Sequence, residues 1–132
     1  MTATVGFSKH FYAEFDILPG MTTWAVIFTP EAEQEFKTLP ADMQAHGLRV
    51  IDLLENRGPH QVREPYVKHL EGKLWEMRLK GRAGIARALY FAHSGRRLCV
   101  VRVFVKKTEK TPRAEIELAL RRMAEVERNE DV

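Results

Sequence analysis

The sequence predicts an α+β domain whose helices pack on a small, mainly antiparallel sheet, in the order β-α-α-β-β-β-α. Three observations lead there. Apolar residues recur at helical spacing in two stretches after Pro30 and in one after Pro112. Between those stretches the period switches to two, with turn residues separating the runs. The length, 132 residues, suits one domain with a core that needs no disulfide framework.

The first strand is carried by Trp24, Val26 and Phe28 alternating with Ala25 and Ile27, a pattern that suits burial on both faces. Thr29 then reads as an N-cap with Pro30 at the first helical position, and Glu31 and Glu33 occupy the first turn, where the helix dipole favours negative charge. Ala32, Phe36 and Leu39 form its apolar stripe. Pro40 closes this helix and Asp42 opens the next, striped by Met43, Val50, Ile51 and Leu54 and ended near Asn56-Arg57-Gly58-Pro59. So short a connection makes the pair an αα-hairpin.

Tyr66 to Leu70 reads as a short edge strand. In Leu74 to Lys80, Trp75, Met77 and Leu79 take one face and Glu76, Arg78 and Lys80 the other. In Ile85 to Phe91, Arg87 shares a face with Ile85, Leu89 and Phe91. His93-Ser94-Gly95 marks a turn, and Leu98 to Val105, rich in β-branched residues, reads as a central strand. Thr111-Pro112 repeats the cap signature of Thr29-Pro30, and Ile116, Leu120, Met123 and Val126 stripe the last helix. Residues 1–21 stand apart. Phe7, Phe11, Tyr12 and Phe15 precede Leu18-Pro19-Gly20 without the basic and apolar regions of a signal peptide. They are expected to be either a docking arm or the product of an upstream start, with Met21 as the functional one.

Composition narrows the function. Hydrophobic residues make up 45% and charged residues 30%, which excludes wholesale disorder. No apolar run reaches the roughly 18–20 residues of a membrane span. The one cysteine, Cys99, sits in an apolar strand and reads as a small core residue rather than a nucleophile, in keeping with a cytoplasmic setting. Gly-rich phosphate loops, Gly-x-Ser-x-Gly elbows and His-Glu-x-x-His pairs are missing, and His10, His46, His60, His69 and His93 show no ligand spacing. No metal or cofactor is expected.

Charge is unevenly spread. The formal net charge is +3, yet residues 61–113 hold 14 basic and 4 acidic side chains, while residues 1–60 and 114–132 are net negative. So concentrated a field attracts polyanions, and nucleic acid is the commonest of them. Arg78, Lys80 and Arg87 lie on neighbouring strands, and Lys106, Lys107 and Lys110 follow the next one, so these side chains can gather on one sheet face. Such a cluster holds an RNA backbone and stabilises the extra charge of a phosphorane transition state. Arg78 and Lys80 are equally what the polar side of an amphipathic strand looks like. Arg87 is less ordinary, because a charge on an apolar face is costly unless it is partnered or opens on a groove.

Leu74-Trp75-Glu76-Met77-Arg78, the strand Ile85 to Phe91 and Phe104-Val105-Lys106-Lys107-Thr108-Glu109-Lys110-Thr111-Pro112 resemble the phage-derived HigB-like toxins of the RelE/ParE superfamily. The resemblance runs from about Trp24 to Val126 and implies a RelE-like toxin domain over residues 22–132. It also implies a type II toxin–antitoxin toxin, a metal-independent mRNA endoribonuclease acting on the ribosome and neutralised by a HigA-like helix-turn-helix antitoxin. Residue by residue, it matches Arg87, Arg78, Lys106, Lys107 and Lys110; Arg87, Arg78 and Lys107 are then expected to be catalytic, and Lys106 and Lys110, together with Lys80, Lys68 and Arg82 of the same basic region, to contact RNA. Glu76 departs from the superfamily pattern, standing where better-studied members carry a lysine. Two rival readings are a ParE-like gyrase poison, which shares the fold, and a nucleic-acid-binding module without catalysis.

Overall fold

The computed structural model describes residues 23–130, so the aromatic segment 1–21 and its role lie outside the described residues. The element order is β1 (Ala25–Phe28), α1 (Pro30–Lys37), α2 (Ala41–Arg57), a short turn of 3-10 helix (Pro59–Gln61), β2 (Val67–Glu71), β3 (Leu74–Gly81), β4 (Gly84–His93), β5 (Arg97–Lys106) and α3 (Arg113–Glu130). The five strands lie in the order β1-β5-β4-β3-β2. β1 runs parallel to β5 and every other neighbour pair is antiparallel, which bears out the α+β fold class.

The two sheet faces have different covers. Val26, Phe28, Met77, Leu79, Ala88 and Val100 form one core with Phe36, Met43, Val50 and Leu54 of α1 and α2. Leu74, Leu89, Phe91, Cys99 and Val101 form the other core with Ile116, Ala119, Leu120 and Met123 of α3. Cys99 is buried there, as its apolar strand implies. The helix hairpin sits close to the sheet because two glycines allow it. A Cβ on Gly47 would lie 2.9 Å from Leu79 Cδ2, and one on Gly81 would lie 2.6 Å from Met43 Cγ. The β3–β4 turn is also tied to α2 by polar contacts, since Asp42 accepts from Arg82 N at 2.7 Å and His46 Nδ1 accepts from Lys80 N at 3.0 Å.

The Thr29 cap forms as expected, its hydroxyl accepting from Ala32 N at 3.1 Å. The second Thr-Pro pair behaves differently. Pro112 closes the backbone turn by accepting from Glu115 and Ile116, but the Thr111 hydroxyl donates to Glu76 at 2.5 Å. A buried carboxylate in need of donors takes the hydroxyl that capping would have used.

β5 carries one residue more than its partner. Tyr90 pairs with Val100 while Leu89 pairs with Arg102, so Val101 has no opposite number. Beyond this bulge Arg102 donates two hydrogen bonds to Glu115 of α3, at 2.6 and 3.1 Å, and one to Glu35 of α1 at 2.8 Å. Glu35 also accepts from Val103 N at 3.0 Å and Arg122 at 3.1 Å. This network joins helices on opposite sides of the sheet.

Candidate functional site

The second sheet face is only partly covered. α3 packs on the part that carries Leu74, Leu89 and Phe91, and the remainder of β3, β4 and β5 presents Arg78, Arg87 and Lys106 from the same side. Arg78 and Arg87 stand directly opposite in register, Lys106 is opposite Ile85, and Lys68 of the edge strand is opposite Glu76. Like charges face to face on neighbouring strands are unfavourable. The answer is Glu76, which is only 1% exposed. Its Oε2 accepts from Arg87 Nη1 at 2.7 Å and lies 3.6 Å from Arg78 Nε, while its Oε1 takes the Thr111 hydroxyl.

One carboxylate does not satisfy this many donors. Arg87 is 6% exposed, and its Nε and that of Arg78 are both buried without a hydrogen-bond partner. Burial lowers the pKa of Arg87 against the opposing pull of Glu76, and Arg78 adds to the lowering. Lys106 feels the same field. Burial first, and then the Arg87 guanidinium, lower its pKa against the opposing pull of Glu76, with Arg78 and Lys68 adding to the lowering. A group held there gives up its proton more readily than a solvated lysine. The site therefore offers fixed N–H donors and excess positive charge in a partly desolvated setting, the arrangement that stabilises a developing oxyanion or phosphorane.

The sequence-derived residues divide into two groups. Arg87, Arg78 and Lys106 come together around Glu76, and Lys68 lies at their edge. Lys80 is exposed at the end of β3, Arg82 is exposed in the β3–β4 turn, and Lys107 and Lys110 are exposed in the loop between β5 and α3. Glu76 and Thr111 are the partners that the sequence reading missed. Arg87 on an apolar face signalled that a partner was required, and Glu76 was the carboxylate on the adjoining strand. Among the described residues no three His, Cys, Asp or Glu side chains converge to hold a metal ion. No helix among them is long and apolar enough to cross a membrane.

Fold and site together define a small α+β protein with a largely buried cationic cluster around Glu76 on one face of its sheet. The chain belongs to the family described as Phage derived protein Gp49-like (DUF891), whose model matches residues 34–124. Among solved structures it is similar to the toxin-antitoxin complex RelBE2 from Mycobacterium tuberculosis, at 22% identity over 64% of this chain and 100% of that one, with a TM-score of 0.47. No curated protein matches the chain.

Proposed function

We propose that this chain is the toxin of a type II toxin–antitoxin pair and acts as an endoribonuclease that uses the RNA's own 2′-hydroxyl as nucleophile. The observation that carries the reading is Arg87, nearly buried and gathered with Arg78 and Lys106 on one sheet face around a single carboxylate. RNA cleavage of this kind requires orientation, charge stabilisation and proton transfer. Arg78, half-buried, and Arg87 behind it supply the positive charge that stabilises the scissile phosphate. Lys106, with its lowered pKa, takes the 2′-hydroxyl proton as the oxygen attacks phosphorus. The P–O5′ bond then breaks, giving a 2′,3′-cyclic phosphate, and the proton that Lys106 took passes to the leaving 5′-oxygen.

In this reading Lys106 takes the chemical role and the exposed Lys107 becomes a phosphate contact, together with Lys110, Lys80, Lys68 and Arg82. The target is mRNA, on the ribosome, in the cytoplasm, and the neutralising partner is a HigA-like antitoxin. An antitoxin segment that masks this surface has to be acidic or has to bury Arg87, and its association rate then falls with added salt.

The test is induced expression together with incubation of purified protein with mRNA, with and without ribosomes. Growth arrest and cleavage by the parent, both lost in Arg87→Ala with an unchanged far-UV spectrum, are the expected results. Arrest with intact mRNA and inhibited gyrase supercoiling identifies a ParE-like poison instead. RNA binding with neither cleavage nor arrest identifies a non-catalytic module.

A further inference from the structure

We propose that a cleft on the opposite, helix-hairpin side of the sheet is a second RNA subsite, which stacks a nucleobase on Trp75 and holds the adjoining phosphate on Lys68 and Arg63. The inference rests on the ribonuclease reading and extends the substrate's path around the edge of the sheet.

The cleft encloses about 620 Å³, within the roughly 300–1,000 Å³ common for ligand sites. Its apolar lining includes Trp24, Val62, Trp75, Tyr90 and Leu98. Trp75 is 38% exposed although it has a paired strand on either side, with Tyr90 opposite on β4 and His69 opposite on β2. His69 is fixed by a 2.8 Å hydrogen bond between Nε2 and Gly72 O, and its ring meets the indole edge-on at 5.1 Å between centroids. The indole is thus held by its neighbours while part of its surface stays open. Single exposed aromatics are ordinary. This one opens into a cleft whose lining also includes Arg63, Lys68, Lys73 and His60, against one carboxylate, Glu64.

That combination selects among occupants. Lys73 is paired with Glu127 of α3, which leaves the exposed Arg63 and Lys68 as the cations facing an incoming ligand. A purely apolar segment would desolvate them without a countercharge. A nucleotide uses both parts of the lining, its base on the apolar floor and its phosphate at the basic rim.

Continuity with the catalytic cluster points the same way. Lys68 lines the cleft, pairs in register with Glu76 and adds to the field that lowers Lys106. Trp75 and Glu76 are consecutive and point to opposite faces, so one strand position separates the chemistry from the stacking surface. β2 is the last strand of the sheet on that side, and Arg87's strand lies about 10 Å inside it at ordinary strand spacing. A single strand of RNA bound at Arg87 turns around this edge and enters the cleft.

The chain's two tryptophans, Trp24 and Trp75, both line the cleft, so intrinsic fluorescence reports on it without a label. The experiment titrates the full chain with a 2′-O-methyl RNA hexamer, which binds but lacks the nucleophilic hydroxyl. Quenched emission is expected, with affinity weakened roughly 5- to 100-fold in Trp75→Ala. Arg63→Glu on the exposed rim is expected to weaken binding as well, and it serves if Trp75→Ala fails to fold. Binding with unchanged emission overturns the proposal, as does an affinity that neither substitution alters. Emission that responds to an apolar or acidic peptide but not to the hexamer also overturns it, and makes the cleft a protein dock. Failure of the ribonuclease reading looks different, since the hexamer then quenches normally while unmethylated RNA stays intact with and without ribosomes.

Discussion

Arg78 and Arg87 face each other across β3 and β4, and Glu76, two residues along the same strand as Arg78, answers both of them. The pair opposite in register is repulsive and the contact that stabilises it runs diagonally. Removing Glu76 therefore leaves two guanidinium groups face to face, with the inner one almost wholly buried.

Glu76→Ala is expected to cost about 3–5 kcal/mol of folding stability, the usual cost of stripping one partner from a buried ion pair. Urea unfolding followed by circular dichroism measures it. A loss below about 0.5 kcal/mol, the size of an ordinary surface substitution, would show that the arginines do not depend on this carboxylate. Binding of a polyanion is expected to return part of the lost stability, because phosphate supplies the missing charge.

Neutralising Lys107 and Lys110 together is expected to weaken RNA binding irrespective of sequence. The slope of log affinity against log salt should become shallower by about 1.4, at roughly 0.7 per phosphate contact on a single strand. Filter binding from low to high salt measures it. A slope equal to the parent's would remove both lysines from the RNA interface.

Stability is expected to fall as pH drops from neutrality through about 6.5, the ordinary histidine value. Burial of His46, followed by the charges of Lys80 and Arg49, lowers its pKa in the folded chain. Its Nδ1 accepts from Lys80 N, which requires an unprotonated nitrogen. In the window between the two pKa values the unfolded chain binds more protons, so stability increases with pH there and is lost as pH falls to the folded value. His46→Gln is expected to flatten that part of the profile. Thermal melts between pH 7.5 and 5 with parallel curves for parent and variant would assign the titration to another group.

The fold was largely legible in the sequence because its elements announce themselves locally. Thr29 and Pro30 start α1 where the cap signature places them, and Gly58 ends α2. The face assignments of β3 and β4 also follow from alternation. Burial does not follow from alternation alone. Glu76, on the polar side of its strand, is buried because Arg78, Arg87 and Thr111 surround it, and Trp75, on the apolar side, is exposed because the helix hairpin leaves its end of the sheet open. The fate of Thr111 was hidden for the same reason. Its hydroxyl faced a choice between a local cap and a carboxylate 35 residues away, which only the assembled fold presents. The extra residue at Val101 likewise left no mark, since a bulge is a property of two paired strands.

Where α3 begins has a consequence for evolution. Pro112 closes the turn before the helix and the Thr111 hydroxyl is moored to Glu76, so the first helical turn is pinned at the border of the cationic cluster. The size of the site's mouth is thereby set by the length of one tether rather than by the residues inside it. Residues gained or lost between Lys106 and Thr111 would widen or narrow access while leaving Arg78, Arg87 and Lys106 untouched. Access to the cluster is then free to drift by insertion in this loop, on a time scale separate from that of the residues inside it.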